Sequence, residues 1–167
     1  MTRAKGPLYV VHFRRRREGR TDYEKRLALL KSRKTRMVVR KTNSRVITQF
    51  VEYDAKGDRT IAVADSKELA KHGFQGKCNT PSAYLVGALA AKKAAAKGVK
   101  EFVLDTGRHS ITMGGIVFAA LKGALDAGLR APHSPECIPS EDRIAGKHLS
   151  QATQDAFLAT KQKILMK

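Results

Sequence analysis

A chain of 167 residues, 42% of them apolar, can bury a sizeable core and suits one domain, or one domain with tails. With no Trp and only 6% aromatic residues, that core must be mostly aliphatic. Thirty-three Lys+Arg against 15 Asp+Glu leave +18, a charge that repels itself and attracts polyanions. Nucleic acid is the obvious polyanion and an anionic membrane surface the competitor. Cys78 and Cys137 make no disulfide framework and point to a reducing compartment. Neither a signal stretch nor an apolar run of spanning length is visible, so the expectation is a soluble, cytoplasmic protein with no membrane partner.

The charge is uneven. Residues 1–45 hold 16 Lys+Arg and 3 Asp+Glu, against 17 and 12 in the rest. That is a basic arm on a more ordinary globular body. Residues 1–20 contain Arg14, Arg15, Arg16, Arg17 and Arg20 with little that could enter a core, so they read as an extended arm, disordered until a partner is met. Thr21 followed by Glu24 forms a capping-box pattern, and Tyr23, Leu27 and Leu30 fall on one helical face. Lys25, Arg26, Lys31, Arg33 and Lys34 surround that seam. Three strands follow, at 37–40, 46–53 and 60–64, joined by short links of turn residues that predict antiparallel hairpins.

Asn79-Thr80-Pro81 opens a helix, with Thr80 as cap and Pro81 in the first turn, and Gly98 stops it. A fourth strand spans 101–105, and a second core helix spans about 116–127, ended by Gly128. The order β-β-β-α-β-α permits a parallel crossover between the third and fourth strands. The fold class is therefore α/β, a mixed sheet with packed helices. Ser140 and Ser150 are candidate caps of two short C-terminal helices. The division is an arm at 1–20, one globular domain at 21–147 and a helical tail at 148–167.

Arginine suits a phosphate-binding arm because its planar fork binds phosphate bidentately and stacks on bases. The alternative is a solvated tail or a localisation signal. In the first hairpin, Arg36 and Arg40 share a face with Val38, and Lys41 and Arg45 extend the basic cluster. Asn43, Thr48 and Gln49 can add neutral hydrogen bonds to ribose or base edges. Charge guarding a sheet edge explains the same pattern equally well. The loop Asp105-Thr106-Gly107-Arg108-His109-Ser110 ends a strand before a helix, where α/β sheets bind ligands, but it matches no P-loop or dinucleotide fingerprint and reads first as a plain strand-to-helix turn. His72, Cys78, His133 and Cys137 lack the spacing of a zinc finger or ribbon, so no metal is expected. Asp54, Asp65 and Asp105 sit at strand ends, where a carboxylate cluster could hold magnesium for RNA cleavage, or where they serve as turn and cap residues. No other catalytic motif is present, and no cofactor or small-molecule substrate is implied.

FRRRREGRTDY at Phe13–Tyr23 resembles the opening of the universal large-subunit ribosomal protein eighteen family in its long archaeal–eukaryotic form. The resemblance continues, in order, through NTPSAYLVG at Asn79–Gly87, VFAALKGALDAGL at Val117–Leu129, PHS at Pro132–Ser134 and PSEDRI at Pro139–Ile144. It covers nearly the whole chain. It implies a non-enzymatic constituent of the large subunit that binds 5S rRNA and seats it on 23S rRNA, beside the universal large-subunit ribosomal protein five. The family's main RNA contacts carry over onto Arg14 to Arg17, Arg20, Lys25, Arg26, Arg33, Lys34, Arg36, Arg40, Lys41 and Arg45. Where the family often has an arginine just before VFAALKG, this chain has Ile116, and Arg108 is the candidate substitute. Its length suits the archaeal members. The rival function is an RNA-processing enzyme using the strand-end aspartates. A membrane-surface protein ranks lower, because the seam of the basic helix is narrow.

Overall fold

A computed structural model describes residues 6–166. The first five residues of the basic arm, and Lys167, lie outside that range.

Strands β1 (Thr35–Lys41), β2 (Val46–Glu52), β3 (Arg59–Asp65) and β4 (Phe102–Asp105) form one sheet in the order β3-β2-β1-β4. β1 pairs antiparallel with β2, as β2 does with β3, while β4 returns parallel to β1. The expected mixed α/β sheet is thus what forms. Alternation sorts the side chains. Met37 and Val39, then Val46, Thr48 and Phe50, then Ala62 and Ala64 are buried on the face that carries the core. Phe102 joins them, its ring meeting Phe50 edge-on at 5.3 Å.

Two helices cover that face. Helix α3 (Thr80–Ala95) is central, with twelve of its sixteen residues buried. Its cap is Asn79, not Thr80: the Asn79 side chain accepts the Ser82 N–H at 3.0 Å. The chain then passes Gly98 at φ +86°, the left-handed stop expected. Helix α4 (Ile116–Asp126) lies along α3, and the two can approach because glycines face backbone across the seam. A Cβ on Gly87 would overlap the Ala120 carbonyl oxygen, and one on Gly123 that of Tyr84.

Short pieces complete the chain. Arg14–Arg17 form one helical turn, α1, where the sequence suggested extended chain. Helix α2 (Tyr23–Lys31) is capped by Asp22, which accepts from the Glu24 and Lys25 N–H groups. Thr21 is not the cap, because its hydroxyl receives Arg15 Nε at 2.8 Å. Nor does Leu27 join a buried seam: it is 57% exposed. A 3-10 segment at Ser66–His72, unforeseen in the sequence, is capped by Asp65. Helix α5 (Glu141–Ala145) and helix α6 (Gln151–Leu165) follow. Neither Ser140 nor Ser150 makes a side-chain cap bond, and the Ser150 hydroxyl meets that of Thr153 instead. α6 lies on α3 and buries Phe157, Thr160 and Ile164, with the Phe157 ring 5.7 Å from that of Tyr84.

Candidate nucleic-acid interface

The face of the sheet opposite α3 and α4 carries Arg36, Val38 and Arg40 from β1, Gln49 and Val51 from β2, Thr60 from β3 and Asp105 from β4. The arm and the start of α2 approach it. Between them runs a groove of about 290 Å³, lined by Arg15, Arg20, Lys25, Arg26 and Arg40 among others. Six cations and three carboxylates, Asp22, Asp58 and Asp105, line it, and a net positive charge gathered around one open groove attracts a polyanion more strongly than the same charge dispersed.

Polar contacts set the geometry. Lys25 Nζ donates to Thr106 Oγ1 at 2.6 Å and to the Gly107 carbonyl at 3.3 Å. Arg26 Nη2 donates to Asp58 Oδ1 at 2.8 Å. Asp58, in the β2–β3 turn, also receives Arg36 Nη2 at 2.7 Å, while Arg36 Nη1 reaches Asp105 Oδ2 at 3.0 Å. Burial opposes ionisation of Asp58, but the hydrogen bonds and charges of Arg36 and Arg26 outweigh it and hold its pKa below the usual carboxylate value. Burial lowers the Arg40 pKa; Asp105 opposes that, while Arg36 and Arg15 add to it. The guanidinium of Arg40 lies so close to Gly107, at φ +56°, that a Cβ there would come within 2.7 Å of it. A bare backbone is what lets Arg40 lie under the loop.

The residues singled out in the sequence fall into three groups. Arg14, Arg15, Arg16, Arg17, Arg20, Arg33, Lys41, Asn43 and Arg108 are exposed. Arg14 and Arg20 both lean on Glu18, at 3.6 and 3.2 Å. Lys25, Arg26, Lys34, Arg40, Arg45 and Gln49 reach the surface while making internal contacts or lying half-buried. Lys34 pairs with Glu101 at 2.6 Å and Arg45 with Asp65 at 3.4 Å. Arg36 and Thr48 are corrections. The Arg36 side chain is 2% exposed and neutralised by two carboxylates, so it is a structural cation. Thr48 is wholly buried among the core strands, its hydroxyl without a partner among the described residues.

The sequence missed Asp58, which reads there only as a turn residue, and showed His109 only as part of the loop after β4. The Nε2 of His109 accepts the Lys41 N–H at 3.3 Å; burial, then Arg40 and Lys41, lower its pKa. The proposed catalytic aspartates are spoken for. Asp54 accepts from Lys56 N, Asp65 caps the 3-10 segment, and Asp105 accepts from Arg36 and Gly107 N. Among the described residues no group of His, Cys, Asp and Glu could hold a metal ion, and no helix is long and apolar enough to cross a membrane.

Residues 8–102 match the family described as ribosomal large subunit proteins 60S L5 and 50S L18. The chain belongs to this family. It is also 57% identical over 148 residues to a protein of Korarchaeum cryptofilum named large ribosomal subunit protein uL18, a match that covers 88% of this chain and 76% of the relative. The L18 family match takes in the arm from Leu8, α2 and strands β1 to β3 and ends at Phe102, the first residue of β4, so most of the groove lies inside it while Asp105 and Gly107 fall just beyond. As a member of the family the chain is a structural component of the large ribosomal subunit and not an enzyme, and rRNA and ribosomal proteins are its partners. The RNA-cleavage reading falls on that membership, and on the hydrogen bonds that already occupy the three aspartates.

Proposed function

We infer that this chain binds 5S rRNA and helps to attach it to 23S rRNA, beside the universal large-subunit ribosomal protein five. The observation that carries the reading is the basic groove between the arm and the open sheet face, flanked by the exposed arginines 14–17. Double-stranded RNA is recognised by shape and by phosphate and 2′-hydroxyl contacts, which such a groove offers. The contact set is Arg14, Arg15, Arg16, Arg17, Arg20, Lys25, Arg26, Arg33, Lys34, Arg40, Lys41, Asn43, Arg45, Gln49 and Arg108. In this reading the arm supplies phosphate affinity, and the folded body supplies discrimination.

The test is binding of the purified protein to 5S rRNA and to a control RNA of equal length across a salt series. With roughly 6–10 phosphate contacts, affinity drops about 10³–10⁵-fold between about 50 and 200 mM salt. A 5S advantage that persists at the higher salt supports the reading. Two RNAs that fall together, with neither preferred, overturn it.

A further inference from the structure

α2 is a helix without a buried residue, and its aromatic contact, Tyr23 with Phe13 at 5.2 Å, is to the exposed arm, so apolar packing on the body does little to fix its orientation. Polar contacts fix it. Lys25 pins the first turn to Thr106 and Gly107, and the Arg26–Asp58 bond ties the helix to the β2–β3 turn, from where Asp58 passes the tie to Arg36 and so to Asp105 on β4. Each oxygen of the Asp58 carboxylate serves one guanidinium: Oδ1 takes Arg26 and Oδ2 takes Arg36. The carboxylate still lines the groove, with 24% of its side chain exposed. A negative charge there repels phosphate, which is a loss for any protein that merely collects RNA. Arg36 does not by itself demand it in that place, since Asp105 already sits 3.0 Å away.

We propose that Asp58 is a positioning residue that sets the angle of α2 over the groove, so that phosphate affinity is given up for RNA discrimination. The proposal rests on the RNA reading of this face. Within it, Thr106 and Gly107 hold Lys25 at the start of the helix, and Arg26 meets RNA in a fixed register only while Asp58 holds it. Asparagine cannot replace the carboxylate, because its amide NH₂ would face one of the two guanidinium groups. Glutamate keeps both acceptors.

The test compares wild type, Asp58→Asn, Asp58→Glu and Arg26→Gln for binding to 5S rRNA and to a control RNA, with hydrogen exchange as the structural readout. In Asp58→Asn, control-RNA affinity stays level or rises, because a repelling charge is gone. The 5S advantage falls about tenfold, equivalent to about 1.4 kcal/mol. Exchange quickens in α2 and not in β1, β2 or α3, and Asp58→Glu restores part of the advantage. Arg26→Gln breaks the tie from the helix side while leaving Arg36 paired. It weakens both RNAs through one lost phosphate contact, and 5S rRNA the more. Should Asp58→Asn loosen the whole core, Arg26→Gln decides the matter alone. If wild type discriminates and Arg26→Gln weakens both RNAs equally, Asp58 merely neutralises Arg36 and the proposal is overturned. If wild type itself shows no preference, the RNA reading fails and the proposal with it.

Discussion

His109 and Gly123 show how single positions couple the binding face and the core to measurable quantities. Burial beside Arg40 and Lys41 lowers the folded-state pKa of His109, so the unfolded chain takes up its proton first. Stability from this site is therefore complete above the unfolded histidine value of about 6.5 and is lost as pH falls below it, down through the folded pKa. Urea unfolding at about pH 7.5 and 5.5 should show a smaller loss in His109→Gln than in wild type. An equal loss would place the acid sensitivity elsewhere. Gly123 faces the Tyr84 carbonyl and the Ala88 amide across the α3–α4 seam, with no room for a methyl group. Both obstacles are backbone, so Gly123→Ala must push the helices apart. The expected cost is about 1–3 kcal/mol or more, read as a lower midpoint in thermal or chemical unfolding.

At the scale of elements, the 148–167 segment looks detachable by composition, yet α6 seats Phe157 against Tyr84 in the core. Phe157→Ala should cost about 3–5 kcal/mol; a denaturation midpoint near wild type would instead make α6 a loose appendage. The strands and both core helices were legible because their signals are local: alternation, turn residues, and Gly98 and Gly128 just past helix ends. The caps were read one residue out, at Thr21 for Asp22 and Thr80 for Asn79. Adjacent oxygen-bearing side chains compete for the same N–H groups, and backbone angles and neighbours such as Arg15 decide between them. Thr48 was legible and misread, since alternation already groups it with Val46 and Phe50 on the apolar face. The burial of Arg36 was not legible. It depends on Asp58 and Asp105, 22 and 69 residues away in sequence, which only the closed sheet brings together.

For the whole molecule, arm and body divide the work of binding in ways that salt can separate. Residues 1–20 include seven Lys+Arg and one Asp+Glu, and the described arginines of that segment are exposed at 14–17 and 20. Each phosphate neutralised on a duplex contributes about −0.9 to the slope of log affinity against log salt. Deleting 1–20 should therefore flatten that slope by several such steps and weaken 5S and control RNA nearly alike. The 5S advantage should survive, because the Asp58-held α2 and the sheet face remain. Arg14 and Arg20 share Glu18, so the flattening should fall short of one full step per arginine. Asp58→Asn makes the opposite change, keeping the slope and losing the advantage. Finding both patterns would assign affinity to the arm and discrimination to the latched helix. An unchanged slope after the deletion would instead place the phosphate contacts on the body, where Lys25, Arg26, Arg40 and Lys41 would have to supply them.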